Sequence, residues 1–241
     1  TTDVSTKKAG KTPFKKEDFL KAVQDDAFIE KMVAKYPKLL ANLPSKDSGV
    51  RYRLEGYLFP ATYNYGKDTT VKEMIDQMLA AMDQNLSPYY ETLESKNINV
   101  NEVLTLASLV EKEGATDQDR KDIASVFYNR LNQDMPLQSN IAILYAEGKL
   151  GQKTTLKEDA TINTELDSPY NIYKNTGLMP GPVDNPGVSA IEAAVNPSKT
   201  DYLYFVANVE NGEVFFAKTY EEHNKNVEEH VNSKLTQASS N

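Results

Sequence analysis

Residues 133 to 186 carry Pro136, Gly148, Gly151, Pro169, Gly177, Pro180, Gly181, Pro182 and Pro186, a density of breakers that no long helix or central strand tolerates. The pattern on either side is mostly helical. The chain is therefore expected to fold as a mainly helical body interrupted by one long irregular stretch, with room for one short helix around Ile141 to Ala146. Irregular stretches of that length inside a domain are more often functional than not.

Between Pro13 and Leu43, Phe14, Phe19, Leu20, Val23, Phe28, Ile29, Met32 and Val33 recur at helical spacing, with Glu17 and Asp18 near the start, which predicts a pair of short helices. Pro44 to Gly49 is a loop by composition and an internal boundary. Arg51 to Tyr63, aromatic-rich and broken by Gly56 and Pro60, is predicted to be extended. Thr69 or Thr70 caps a helix to about Asn85, whose Val71, Met74, Ile75, Met78, Leu79 and Met82 form one apolar stripe. Further helices are predicted at Tyr89 to Lys96, at Glu102 to Glu113 with Asn101 as cap and Gly114 as stop, from Asp117 or Asp119 through Leu131, and at Ser189 to Val195. Tyr202 to Asn208 and Glu213 to Lys218 flank Glu210-Asn211-Gly212 and predict a hairpin with an Asn-Gly turn, followed by an amphipathic helix from about Thr219 to Leu235. Residues 1 to 12, polar and lysine-rich, read as a disordered tail or linker. No internal repeat occurs, so solenoids and propellers are excluded. The fold class is α+β, mainly helical with short strands that include the C-terminal hairpin.

Composition narrows the chemistry. A net charge of −8, from 27 basic and 35 acidic residues, opposes phosphate binding, so no nucleic-acid partner is expected. Zero cysteines exclude disulfides, thiol catalysis and Cys-ligated zinc. The longest apolar run, Leu104 to Val110, falls far short of the roughly 20 residues that cross a bilayer, so no membrane span is expected in this segment. The chain opens at Thr1 without Met or signal peptide and reads as an excised segment or processed product, its targeting information lying upstream. No phosphate-binding Gly-rich loop, zinc-metalloprotease His pair or Gly-x-Ser-x-Gly elbow is present. His223 and His230 fall on the polar terminal helix, where an exposed face is expected, and a metal there would need Glu222 or Glu229 to complete its site; no metal and no cofactor is expected.

Two groups of residues could carry chemistry. Glu111 and Glu113 end the helix with the most apolar run and point roughly 200° apart at 100° per residue, so only one faces a given groove. Periodicity does not choose between them. Glu113 lies in the last turn, where the helix's negative end disfavours ionisation and raises a carboxyl pKa, as a general acid requires; the alternative is that both are solvated. The second group, Gln138, Ser139 and Asn140 with Tyr170, Asn171 and Tyr173, gathers amides and phenols in the Pro/Gly-framed stretch. That combination suits a sugar site, and it equally suits the anchoring of loops.

The segments Leu54-Glu-Gly-Tyr-Leu-Phe-Pro-Ala-Thr-Tyr63, Leu106-Ala-Ser-Leu-Val-Glu-Lys-Glu113, Ala124-Ser-Val-Phe-Tyr-Asn-Arg-Leu131, Leu137-Gln138, Tyr170-Asn-Ile-Tyr173, Gly177-Leu-Met-Pro-Gly-Pro182 and Tyr202-Leu-Tyr-Phe-Val-Ala207 follow one another as in the YceG-like family of endolytic murein transglycosylases. The chain resembles that family over about residues 50 to 235, in wording similar to a streptococcal or related Gram-positive member. The resemblance implies that Glu113 is the catalytic acid and that Gln138, Ser139, Asn140, Tyr170, Asn171, Tyr173 and Glu55 bind substrate. Many members carry an acid where this chain has Asn140, so no carboxylate role is assigned there. The implied organisation is a catalytic domain at 50–241 preceded at 13–49 by the helical remnant of a LysM-like subdomain.

The implied reaction is lytic cleavage of MurNAc-β-1,4-GlcNAc bonds inside peptidoglycan strands, leaving 1,6-anhydroMurNAc ends, in cell-wall synthesis and cell shape. The resemblance further implies a parent protein held at the extracellular face of the membrane by an upstream transmembrane helix, beside membrane-bound peptidoglycan synthases. One alternative is a lysozyme-like hydrolase, which needs a second carboxylate roughly 5–9.5 Å from the first, with Glu55 and Asp167 as candidates. Another is a non-catalytic glycan-binding scaffold of a wall-synthesis complex.

Overall fold

A computed structural model describes residues 14–152, 162–208 and 211–233. The expected tail at 1–12, Glu210 of the predicted turn and the end of the last predicted helix lie outside the described residues. Among them the elements are α1 (Lys16–Ala22), α2 (Asp26–Lys35), α3 (Val71–Leu86), α4 (Tyr90–Ser95), α5 (Val100–Glu113), α6 (Asp117–Leu131), α7 (Asn140–Ala146), α8 (Val188–Val195), β1 (Tyr204–Ala207), β2 (Val214–Ala217) and α9 (Tyr220–Val227), with a π-helical continuation at Glu228–Asn232. The class is α+β, as the periodicity predicted.

The described residues form two compact units, one of those up to 108 with 180–191 and the other of those from 109 to 179 with those from 192 onward. In the first, α3 starts at Thr70, whose hydroxyl accepts from Glu73 N while the Glu73 carboxylate returns to Thr70 N at 2.8 Å, a reciprocal cap that satisfies two orphan donors. Met74, Ile75, Met78, Leu79, Met82 and Leu86 are buried along one face, each contributing about 1.5–3 kcal/mol. The pair of helices expected upstream is present, and α1 packs on α3. Lys72 pairs with Asp25 at 2.6 Å, and Tyr36 OH donates to Asp76 Oδ1 at 2.7 Å. Arg51 to Tyr63 is not helical, but where an extended run was predicted residues 53–56 turn instead, with Glu55 N donating to Tyr52 O and Tyr57 N to Leu54 O. The turn at Gly56 is held by Asn185 Oδ1, which accepts from Gly56 N at 2.8 Å and from Leu58 N at 3.2 Å. Ser108 Oγ accepts from Val183 N at 3.0 Å.

In the second unit, α6 begins at Asp117, the first of the two acids that the sequence offered. Thr116 is the cap, and Asp119 supplies the returning carboxylate at 3.0 Å. β1 and β2 pair antiparallel with Tyr204 opposite Ala217 and Ala207 opposite Val214, and α9 packs on both strands. Gly212 takes φ 74° in the connection, where a side chain would be strained.

The start of α5 differs from the expectation. Asn99, not Asn101, is the cap: its side chain accepts from Glu102 N at 2.9 Å, and Glu102 answers to Asn99 N at 2.8 Å. Only Asn99 has an acid three residues on, which decides between two otherwise equivalent amides. Asn101 instead accepts from Tyr57 OH and donates to the Pro180 carbonyl, tying two loops of the first unit to the helix.

Candidate active site

α5 ends where expected, for a different reason. Gly114 has no left-handed backbone; it is buried, and a Cβ there would lie 2.5 Å from Arg120 Cγ, so glycine allows the close turn from α5 into α6. Lys112 is exposed, and Glu113 is the last helical residue.

The carboxyl of Glu113 takes a hydrogen bond from Ser139 Oγ to Oε1 at 2.7 Å. Burial pushes Glu113 above the ordinary carboxyl range, and the Ser139 hydroxyl, which favours the charged form, works against it. Desolvation is the largest cause. Ser139 is also the N-cap of α7, accepting from Ile141 N at 3.3 Å, so its oxygen is used as acceptor there and its proton is available to Glu113.

Gln138 and Asn140 flank Ser139 in the chain, and Tyr173 reaches Asn140. Tyr173 OH donates to Asn140 Oδ1 at 2.5 Å. Its phenol is pushed up to about 12 by burial, then by the charge of Glu113, with Arg130 opposing. Gln138 has φ 57°, a left-handed conformation uncommon for a residue with a side chain; its N donates to Ile172 O at 3.0 Å and its Oε1 accepts from Arg130 Nη1 at 3.0 Å.

Tyr170 and Asn171 have another setting. Asn171 is fully buried, with Nδ2 donating to Thr164 O and Leu166 O at 2.9 and 2.7 Å and Oδ1 accepting from Tyr173 N at 3.1 Å. This is loop anchoring, and it positions Tyr173 from behind. Tyr170 is buried against Tyr145, ring centroids 4.8 Å apart. Asn171→Ala is therefore expected to destabilise the protein by about 1–3 kcal/mol, because two carbonyls lose their buried donor. Thermal or urea unfolding checks this, and unchanged stability with lost turnover would return Asn171 to direct substrate contact.

Glu55 is buried in the first unit, and Asp167 is exposed. The histidines are not an exposed pair: His223 stacks on Tyr204 at 5.3 Å and His230 on Phe215 at 3.6 Å, packed by the hairpin's aromatic rings. Among the described residues no group of three His, Asp or Glu could hold a metal ion.

Sequence reasoning passed over Arg130 and Asn129. Arg130 is buried with its guanidinium on main-chain carbonyls, and Asn129 Nδ2 donates to Thr200 O and Tyr202 O at 2.9 Å each, so the Tyr-Asn-Arg-Leu segment fixes the approach to β1. Their only sequence signal is their place in that segment.

Comparison with known proteins places the chain among relatives. The chain matches the YceG-like family over residues 4–229. It is 67% identical over 219 residues to a Streptococcus pneumoniae protein named endolytic murein transglycosylase, covering 91% of this chain and 40% of that protein. A Bacillus subtilis protein of the same name is 42% identical over 234 residues, covering 97% of this chain and 63% of that one. The chain thus spans less than half the length of the streptococcal relative. The crystal structure of a YceG-like protein from Listeria monocytogenes superposes with a TM-score of 0.78 at 46% identity, covering 88% of this chain and 67% of that one. By family match, sequence identity and shared fold, this chain belongs to the YceG-like family.

Proposed function

We propose that the chain carries out endolytic cleavage of peptidoglycan strands as a lytic transglycosylase, with Glu113 as its general acid and base. The observation that carries this reading is a desolvated carboxyl at the end of a helix, raised by burial and held by the Ser139 hydroxyl at 2.7 Å. A raised pKa keeps the proton available near neutral pH. Protonated Glu113 donates to the glycosidic oxygen as the MurNAc C1–O bond breaks. The resulting carboxylate then takes the proton of the MurNAc C6 hydroxyl, whose oxygen closes on C1 to give the 1,6-anhydro end. One carboxyl suffices because the nucleophile belongs to the substrate.

Gln138, Ser139, Asn140 and Tyr173 are proposed as substrate contacts nearest the cleaved bond, and Glu55, Tyr170 and Asn171 as further substrate-binding residues; the Ser139 hydrogen bond to Glu113 supports the first group. Residues 13–49 are proposed as the end of a LysM-like subdomain, and 50–241 as the catalytic domain. The names of the relatives support peptidoglycan as substrate. Among the described residues no helix is long and apolar enough to cross a membrane. Anchoring of the parent protein at the outer face of the membrane, beside peptidoglycan synthases, belongs to the same proposal.

Digestion of purified sacculi tests it: anhydro-muropeptides are expected, whereas reducing ends would mean a hydrolase and binding without cleavage a scaffold. Cleavage is also expected to survive exhaustive treatment with EDTA, because the proton moves need no Lewis acid. Activity that vanished and returned with zinc or magnesium would overturn this mechanism.

A further inference from the structure

We infer that Arg130 is a positioning residue for Glu113: by gripping the turn at Pro136 to Gln138, it sets the Ser139 hydroxyl against the reacting carboxyl. This rests on Glu113 being the acid. Arg130 is 6% exposed. Its Nε donates to Leu203 O at 2.6 Å, and its Nη1 to Pro136 O at 2.8 Å, Leu137 O at 3.2 Å and Gln138 Oε1 at 3.0 Å. The guanidinium also lies 5.0 Å from the Tyr204 ring centroid. A buried charge on neutral partners is a poor stabiliser, because an apolar side chain of similar volume avoids the desolvation. What the guanidinium supplies and an apolar chain lacks is a rigid planar fork that holds several acceptors at fixed angles.

Those acceptors belong to the turn that enters the site. At Gln138 the chain takes the left-handed conformation, of order 1–3 kcal/mol for a residue with a side chain, and such strain persists only where surrounding contacts over-determine it. Here they are the Arg130 contacts on one side and the hydrogen bond to Ile172 on the other. The next residue is Ser139, delivered to Glu113 at 2.7 Å. Because that hydroxyl favours the ionised carboxyl, losing it leaves burial unopposed and raises the carboxyl further.

The test is the pH dependence of kcat on soluble glycan strands for wild type, Arg130→Lys, Ser139→Ala and the double variant. Lysine keeps the charge and loses the fork. In both single variants the alkaline limb, where Glu113 loses its proton, should move to higher pH and turnover fall about tenfold or more. The double variant should be no worse than Ser139→Ala, since both act through one contact. Ser139→Thr, which keeps the hydroxyl, should return the limb to its wild-type position. An Arg130→Lys enzyme with the wild-type limb, its loss matched by its lost folded fraction, would overturn the inference, as would losses that multiply in the double variant. Should Arg130→Lys fail to fold, Gln138→Gly, which suits the left-handed backbone while freeing the turn, is expected to move the limb the same way; an unmoved limb there overturns the inference equally. Failure of the underlying reading is separate: it would show as undiminished turnover by Glu113→Gln.

Discussion

Glu113→Gln is expected to lower glycan-strand cleavage by about 10²–10⁴-fold or more while the protein melts no lower than wild type. The amide keeps the shape and can still accept from Ser139, but it cannot donate a proton and recover one. The stability half follows from the direction of the carboxyl's shift. Burial raises Glu113 in the folded chain above its unfolded value, so between the two the folded state holds a proton that the unfolded state has released. Stability therefore falls as pH rises through that window, and glutamine has no such loss. The Tm of the variant minus that of wild type should grow from pH 4 to pH 8. Wild-type turnover by Glu113→Gln would sink the assignment, and a uniformly lower Tm would make Glu113 a structural acid instead. Glu111→Gln, on the other flank of the helix, should change turnover little; a reversal of the two results would exchange their roles.

How much of this was legible follows from where each signal lives. α3 could be read because its information is local: Thr70 and Glu73 at capping-box spacing, then apolar residues every three or four positions. α5 was legible in body and end but not at its first residue, since Asn99 and Asn101 are equally good caps until Glu102 reciprocates with one of them. The choice of Glu113 over Glu111 came from a helix-end argument, whereas the larger cause is burial, which depends on residues distant in the chain. Asn171 was open between groove and anchor because an amide suits both, and only its partners, main-chain atoms of 164, 166 and 173, separate them. Arg130 and Asn185 were not legible as positioning groups. They bind main-chain atoms, which every residue possesses, so no pattern of residue types marks them.

Gly56→Ala is expected to be the most destabilising single-methyl change within the motif segments, at about 2–6 kcal/mol, because two separate penalties meet at that position. The backbone has φ 86°, where a residue with a side chain carries strain of order 1–3 kcal/mol. A Cβ would also lie 2.2 Å from Pro182 Cγ and 2.3 Å from Pro182 Cβ, well inside contact, and overpacking of that kind costs about 1–3 kcal/mol. The proline ring cannot swing aside as a flexible side chain would. Neither can the loop readily retreat, since Asn185 holds Gly56 N and Leu58 N, and Ser108 holds Val183 N. Gly177→Ala separates the two penalties: its φ is 85°, yet nothing lies within 4 Å of its would-be Cβ, so only the backbone strain applies. Urea unfolding should place Gly56→Ala well below Gly177→Ala. Equal losses would mean that Pro182 yields freely and that the Leu54 to Tyr63 and Gly177 to Pro182 segments are not one packed contact. The expected inequality would instead explain, from a single missing methyl group, why a glycine and a proline far apart in the chain occur together.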